Sequence, residues 1–528
     1  MRNQAIASAL FLTACSSPVE VAVQLVNPCN RDVIDTVEFL KFEPRGQDID
    51  SAGLTTITEV GDRAASPIEI PLTRNFQLVV TGHTGGFDTP PTAIGVSAIE
   101  DLSSAEDTVS LRVAFAGIDQ FYRTTDLGAP ETCTEMQVPR YGATATTLSS
   151  GKVLIVGGAK IESDVLEFVR TIEMFDPATG AFVAVGALPS TLERAFHTAT
   201  LLDDGRVLIA GGQSWIDDAV MSALKTAVIV DARDPAKLNV SDGIVMFQAR
   251  TGHGAVRLAN GKVAMVGGRV LDPTAGRPED HGYLTSIELF DPDRGSFLVP
   301  QGSGGGAAEM QFARFAHSVT LLKTGRDLLV AGGFNENGPV RTLEVVKVGD
   351  DDQVQSVASS GTSDVGPIQH AAAVADDGRV LLVGGYDAIT DAEPPGALPR
   401  SPSANAEMWE YRDAQGDVIK SCNGALATGR GFLSLSMAGR RAVAIGGRGA
   451  DGLPLLNGEL ATLTNSGPNC FATLPTTVDM TEPRADHVAT TLPSGEILVV
   501  GGRQNRDASD YFGTSTGIAE VFAPAREL

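Results

Sequence analysis

Seven stretches of this chain say nearly the same thing, and that recurrence limits the fold more than any other feature of the sequence. They are TTLSSGKVLIVGG (146–158), TLLDDGRVLIAGG (200–212), VRLANGKVAMVGG (256–268), TLLKTGRDLLVAGG (320–333), AVADDGRVLLVGG (373–385), LSMAGRRAVAIGG (435–447) and TTLPSGEILVVGG (490–502). In each, two apolar runs flank a glycine: Gly151, Gly205, Gly261, Gly325, Gly378, Gly439 and Gly495. A glycine after Asp, Asn, Ser, Thr or Ala accepts the positive φ of a tight turn, so each stretch reads as a β-hairpin. The second run, as in VLIVGG, is apolar on both faces, the signature of a strand buried on both sides.

Past each Gly-Gly pair a polar loop leads to a third strand-like segment: TIEMFDP (171–177), TAVIVDA (226–232), SIELFDP (286–292), TLEVVKV (342–348), AEMWEY (406–411), GELATL (458–463) and AEVFAP (519–524). Several end in Asp-Pro, which turns the chain into a fourth strand, and AFVAVGAL (181–188) and CFATLP (470–475) have that character. The pairs begin at 157, 211, 267, 332, 384, 446 and 501, a period of 52 to 65 residues. Four strands of meander per period is the layout of a propeller blade.

The order Arg-x-x-His, apolar run, Gly, apolar run, Gly-Gly and a Glu-bearing strand resembles the kelch, or galactose-oxidase-type, propeller repeat over about 130–528. That resemblance implies an all-β chain with a seven-bladed kelch-like β-propeller at 132–528. The last repeat runs out of chain before a fourth strand, so a strand near 132–137, within CTEMQVPR (133–140), is expected to close it and hide the open edges. Residues 15–118 carry no repeat. Their short strand-like runs, VEVAVQLV to TVSLRVAF, suggest an immunoglobulin-like β-sandwich, with 119–131 as a linker.

The first residues differ again: Arg2, then AIASALFL, then Leu12-Thr13-Ala14-Cys15, the layout of an export signal over 1–14. Leu-Thr-Ala-Cys resembles the lipobox of bacterial lipoproteins, which implies cleavage before Cys15 and a lipid anchor on its thiol, in the bacterial outer membrane. Past it, no stretch has the eighteen or so apolar residues of a membrane helix. Cys29, Cys133, Cys422 and Cys470 remain, an even number for an oxidising compartment. Four cysteines allow three pairings; their positions favour 29–133 and 422–470, with free buried thiols as the alternative.

Net charge is −25. Nucleic acid and anionic lipid surfaces both call for clustered Lys and Arg, so neither is an expected partner.

The repeats also carry charge. Arg140, Arg194, Arg250, Arg314, Arg430 and Arg484 open six of them, with Pro367 in the fifth. Glu173, Glu288, Glu344, Glu407, Glu459 and Glu520 stand on six third strands, with Val228 in the second. A guanidinium ring could bind anions, but a charge present in nearly every repeat reads as architecture, in pairs fixing blade to blade. His197, His253, His317, His370 and His487 follow three residues after the Arg position, with Ala143 and Leu433 in the other two repeats. A metal needs two to four ligands converging within a few ångströms, which equivalent positions around a ring do not supply, so these too read as structural.

No SxDxGxxW, G-x-S-x-G or H-E-x-x-H motif is present, and nothing matches a galactose-oxidase copper site with its Tyr–Cys crosslink. No cofactor or metal is therefore expected. The chain reads as a non-enzymatic, membrane-anchored exported binding or scaffold protein whose partner is a protein or polysaccharide of the envelope or exterior. The loops after Gly-Gly are long and unlike one another, so Trp215, Tyr283, Tyr386 and Tyr511 are its candidate contact residues. The alternatives are a galactose-oxidase-like enzyme with an unrecognised or degenerate site and a purely structural envelope protein.

Overall fold

The computed structural model describes residues 18–525 apart from 30, 48, 61–66, 87, 106–107, 130, 163–164, 217–219, 272–281, 303, 350, 388–400, 413–415, 465–466, 473–474 and 506–512. Cys15 and Tyr511 lie outside the described residues. The chain divides into two compact units, Met1–Asn27 with Asp32–Phe115, and Pro28–Arg31 with Ala116–Leu528. Among the described residues no helix is long and apolar enough to cross a membrane.

In the smaller unit, Val19–Val26 lies between Ile68–Ile70, antiparallel, and Val109–Ala114, parallel. A second sheet orders Thr56–Glu59, Phe39–Arg45, Gln77–His83 and Ala93–Val96. Val21, Phe42, Ile70, Leu78, Val80 and Phe115 form one apolar cluster, because alternate residues of each strand turn the same way.

Among its described residues the larger unit contains a run of seven antiparallel sheets of four strands, the second with one strand more, six of them in meander order, together with short two-stranded hairpins. The first consists of Thr144–Thr147, Val153–Val156, Thr171–Asp176 and Ala181–Ala187, and the others begin at Thr198, Gly254, Ser318, Ile368, Ser434 and Val488. Second strands such as Val153–Val156 and Ile497–Val500 are buried at every residue. The reason is packing on both faces: Leu154 and Val156 of the first sheet share a cluster with Val207 and Ile209 of the second. The innermost strands adjoin in cyclic order, with Val488–Thr491 returning to Thr144–Thr147.

The closing strand is not the expected one. Gln120–Arg123, inside the presumed linker, pairs with Ala519–Ala523 in the register Phe121↔Phe522 and Arg123↔Glu520. Residues 133–140 instead lead into the first sheet, where the Gln137 and Val138 amides donate to the Glu173 carboxylate at 2.7 and 3.1 Å. Phe247 and Gln248 do the same to Glu288 at 2.8 and 2.9 Å. The look that 133–140 shares with later segments is thus that of a carboxylate-capped connection, not of an outer strand. Residues 470–475 are likewise not the sixth sheet's outer strand, which is Thr476–Asp479. Cys470 comes before that strand and is bonded to Cys422, while Cys29 is bonded to Cys133.

Candidate functional site

The Gly-Gly pair ends each second strand where neighbouring sheets come closest. Gly211 has φ +59°, and a Cβ there would stand 2.5 Å from the Arg250 carbonyl oxygen and 2.7 Å from the His253 ring. Gly212, at φ +89°, faces the Ala195 carbonyl at 2.6 Å. Only glycine combines that conformation with that approach. The amide of the second glycine then donates to the carbonyl at the next sheet's Arg position. The bonds are Gly158 to Arg194, Gly212 to Arg250, Gly268 to Arg314, Gly333 to Pro367, Gly385 to Arg430, Gly447 to Arg484 and Gly502 to Arg140, all 2.6–2.9 Å. Each sheet is bonded to the next, and the last to the first.

The Arg side chains act within a sheet rather than between sheets. Arg250, Arg314, Arg430 and Arg484 meet Glu288, Glu344, Glu459 and Glu520 at 2.7, 2.5, 2.6 and 2.5 Å, and Arg140 meets Glu173, all of them buried. Each guanidinium also donates to the carbonyl of the first glycine, as Arg314 does to Gly332 at 2.8 Å. Burial lowers the guanidinium pKa, and the carboxylate opposes that shift.

The two incomplete repeats solve the problem differently. Arg194, facing Val228, donates to the Thr226 carbonyl and hydroxyl at 2.8 and 3.0 Å, and with no carboxylate burial brings it down to about 10. The Glu cap is replaced there by a 3-10 turn at Ser190–Leu192, in which Leu192 donates to Pro189 at 2.9 Å. Glu407, facing Pro367, takes Lys420 from the outer strand at 2.7 Å, together with the Ser363 hydroxyl and the Trp409 indole.

The histidines bridge sheets. His197 Nε2 lies 3.0 Å from the Thr144 hydroxyl, His253 3.0 Å from Thr198, His370 2.8 Å from Ser318, and His487 2.8 Å from Ser434. His317 faces the Val266 carbonyl at 3.2 Å. Burial, then the neighbouring guanidinium, depresses His197, His317 and His487 to about 3, and burial takes His370 to about 4. They are neutral structural donors and acceptors. No group of three His, Cys, Asp or Glu side chains fit for a metal occurs among the described residues.

Charged and aromatic side chains gather at the end of the ring where first strands begin and second strands end. Two residues after each Arg position the backbone turns left-handed, at Gly142, Phe196, Gly252, Ala316, Gln369, Phe432 and Asp486. Five of these are not glycine, and non-glycine residues held at positive φ are a form of strain that concentrates at functional sites. Asp486 Oδ2 accepts from Arg503 Nε and Nη2 at 2.9 and 2.6 Å, and Arg448 Nη2 stands 3.9 Å away. Arg448 Nη1 donates to Asn505 Oδ1 at 2.8 Å and to the Gly452 carbonyl at 3.0 Å. The Arg503 guanidinium lies 4.7 Å over the Tyr141 ring, whose edge meets exposed Phe196. Arg448 and Asp486 are buried, while Arg503 keeps 16% of its side chain exposed and is the member a solute meets first. Burial raises the pKa of both Tyr141 and Tyr386, so both phenols hold their protons.

Of the residues the sequence put forward for contact, Tyr386 is fully buried, against Phe432, with its hydroxyl 3.4 Å from the Arg448 carbonyl. Trp215 packs edge-on to Phe168 of the preceding repeat's hairpin, and Tyr283 edge-on to Phe334. Tyr386 is thus not an exposed anchor, because its loop folds back on the neighbouring sheet, whereas Trp215 and Tyr283 stay partly exposed. The residues missed were Asp486, Arg448, Arg503 and Asn505. Their signal was an arginine directly after Gly-Gly, at Arg269, Arg448 and Arg503, where the other repeats place Ala159, Gln213, Phe334 and Tyr386.

No protein-family model matches the chain, and no curated protein matches it. Among solved structures, a fungal alcohol oxidase of the AA5 family in complex with copper is similar at 14% identity, over 74% of this chain and 75% of that one, with a TM-score of 0.51. The structure of YjhT is similar at 15% identity, over 65% of this chain and 98% of that one, with a TM-score of 0.46. The fold is that of a galactose-oxidase-like β-propeller. The expectation of a chain without enzymatic activity is corrected by this likeness. The fold is shared with an oxidase, so missing motifs do not argue against chemistry.

Proposed function

We propose that the larger unit is a seven-bladed propeller of the kelch and galactose-oxidase kind and that it is an enzyme whose site is the Arg448–Asp486–Arg503 cluster. Seven consecutive four-stranded sheets and the cyclic Gly-to-Arg hydrogen bonds support the blade number. The smaller unit we read as an immunoglobulin-like sandwich, on its two sheets around one core. Export with a lipid anchor at Cys15 is part of the proposal. Leu12-Thr13-Ala14-Cys15 and the two disulfides, which belong to an oxidising compartment, support it.

The observation that carries the site is convergence. Two guanidiniums and one carboxylate from the sixth and seventh sheets meet beside the strained turn at Asp486. Asp486 fixes Arg503 from behind, Tyr141 and Phe196 offer apolar faces beside it, and a guanidinium is the side chain whose planar fork matches an oxyanion two bonds at a time. The substrate this suits is a small, oxygen-rich molecule bearing an anionic group. Copper, the ion of the similar oxidase, does not fit the described residues. Each of the five repeat histidines is committed to a hydroxyl or carbonyl between sheets, and among the described residues no set of convergent ligands replaces them.

The test is thermal shift on the full-length protein with carboxylated, sulfated, phosphorylated and neutral sugars and alcohols. An anionic compound should raise the melting temperature, and Arg503→Leu should remove that rise. Neutral compounds that bind equally well in both proteins would overturn the assignment, as would stoichiometric copper in the purified protein.

A further inference from the structure

The seventh sheet alone takes its strands from both ends of the segment that forms the ring, so everything that seats Gln120–Arg123 keeps the ring shut. Non-covalent contacts do part of this. Phe121 packs on Phe522 at 5.0 Å, the Tyr122 hydroxyl donates to Glu496 at 2.8 Å, and Arg441 Nη2 meets Asp119 Oδ2 at 2.6 Å. The rest is covalent. Directly after the strand, the Thr134 amide donates to the Thr124 carbonyl and the Thr124 hydroxyl to the Thr134 carbonyl, at 2.8 and 2.7 Å. Thr125 and Cys133 form a β-bridge, and Cys133 is bonded to Cys29, whose own amide donates to the Thr125 hydroxyl at 2.7 Å. The strand's exit is thereby tied down through the Cys29–Cys133 bond.

The second disulfide has no such position. Cys422 lies on the fifth sheet's outer strand and Cys470 just ahead of the sixth sheet's, where the backbone already joins the two sheets. The two bonds also differ in access. Cys422 and Cys470 are 4% and 0% exposed, whereas Cys133 is only partly buried. Exchange begins with attack of a thiolate on an accessible sulfur, so Cys133 is the point of entry.

We propose that Cys29–Cys133 is a redox-sensitive lock on ring closure. A dithiol attacks Cys133 Sγ, and Cys29 leaves as a thiolate and takes up a proton. The dithiol's second sulfur then displaces Cys133, so two electrons and two protons pass to the protein and the dithiol becomes a cyclic disulfide. The reduced protein keeps seven sheets, but its closing strand opens more often.

Hydrogen exchange on the full-length protein tests this, with a dithiol dose at which mass-tagged thiols show Cys29 and Cys133 reduced and Cys422 and Cys470 intact. Amides of Gln120–Arg123 and Ala519–Ala523 should exchange at least about tenfold faster, while Val380–Tyr386 of the fifth sheet is unchanged. Unchanged exchange at the closing strands would overturn the proposal, as would equal acceleration in all seven sheets or earlier reduction of Cys422–Cys470. The double variant Cys29→Ser, Cys133→Ser should reproduce the effect without reductant. If it does not accumulate, the dithiol titration of the native protein decides alone.

Discussion

Replacing Glu344 by Gln asks how far a buried carboxylate braces its own sheet. Its two oxygens receive Arg314 Nη2 at 2.5 Å and the Phe312 amide at 3.2 Å on one, the Gln311 amide and the Ser356 hydroxyl, both at 2.7 Å, on the other. A glutamine keeps one acceptor and turns the other into a donor, so either orientation sets an N–H against an N–H. The Arg314 charge also stays buried without its counter-charge. Breaking a buried pair costs about 3–5 kcal/mol. An orphaned backbone donor adds roughly 1–3 kcal/mol. The sum, about 4–8 kcal/mol, is a large part of an ordinary folding free energy. For a unit of roughly 400 residues the unfolding entropy is about 0.9 kcal/mol per degree, so Glu344→Gln should lower the melting temperature by about 5–9 °C. Circular dichroism melts of both proteins at pH 7 measure it. The second repeat marks the limit of the argument, since Arg194 lives without a glutamate only because Thr226 and a 3-10 turn take over its work. A fall of less than about 1 °C would refute the reasoning, because it would mean that the carboxylate is as dispensable in the fourth sheet as in the second.

Acid should open the ring. Five buried histidines are held neutral in the folded state, four of them at about 3 to 4, while the unfolded chain protonates near the ordinary value of 6.5. Their contribution is therefore complete above about pH 6.5 and is lost as pH falls toward 3, by up to about 1.4 kcal/mol per pH unit for each; denaturant melts at pH 7, 5 and 4 should fall steeply in midpoint, and a flat profile would refute the assignment. Gly211→Ala combines positive φ with a 2.5 Å approach to the Arg250 carbonyl oxygen, whereas Gly439→Ala, at φ +58°, meets nothing within 4 Å. The first should cost about 2–4 kcal/mol and the second about 1 kcal/mol in urea unfolding, and equal costs would show that crowding contributes nothing. Lys420→Met should destabilise less than Glu344→Gln in the same melts, since Glu407 keeps the Ser363 hydroxyl, the Trp409 indole and the Asp364 amide.

Legibility in this sequence follows repetition. A hairpin turn, a doubly buried strand and a Gly-Gly pair stand out because seven copies obey the same local physics, and the structure places all seven at the same point of a sheet. Closure occurs once, so no second copy could correct the reading. Gln120–Arg123 is four residues long and gains its place from Phe522, Glu496 and Asp119–Arg441 contacts, which join residues hundreds of positions apart. The 133–140 segment misled for the opposite reason, since it does recur, as the connection that Glu173 and its counterparts cap. The candidate site was hidden by the same logic. Asp486, Arg448 and Arg503 stand where the repeats disagree, and a search for what the copies share passes over them. In a ring built from equivalent positions, the shared residues are spent on architecture, the Arg–Glu pairs bracing each sheet and the histidines bridging to its neighbour. The proposed site sits instead where equivalence fails, in the column after Gly-Gly, where the residues that differ carry charge.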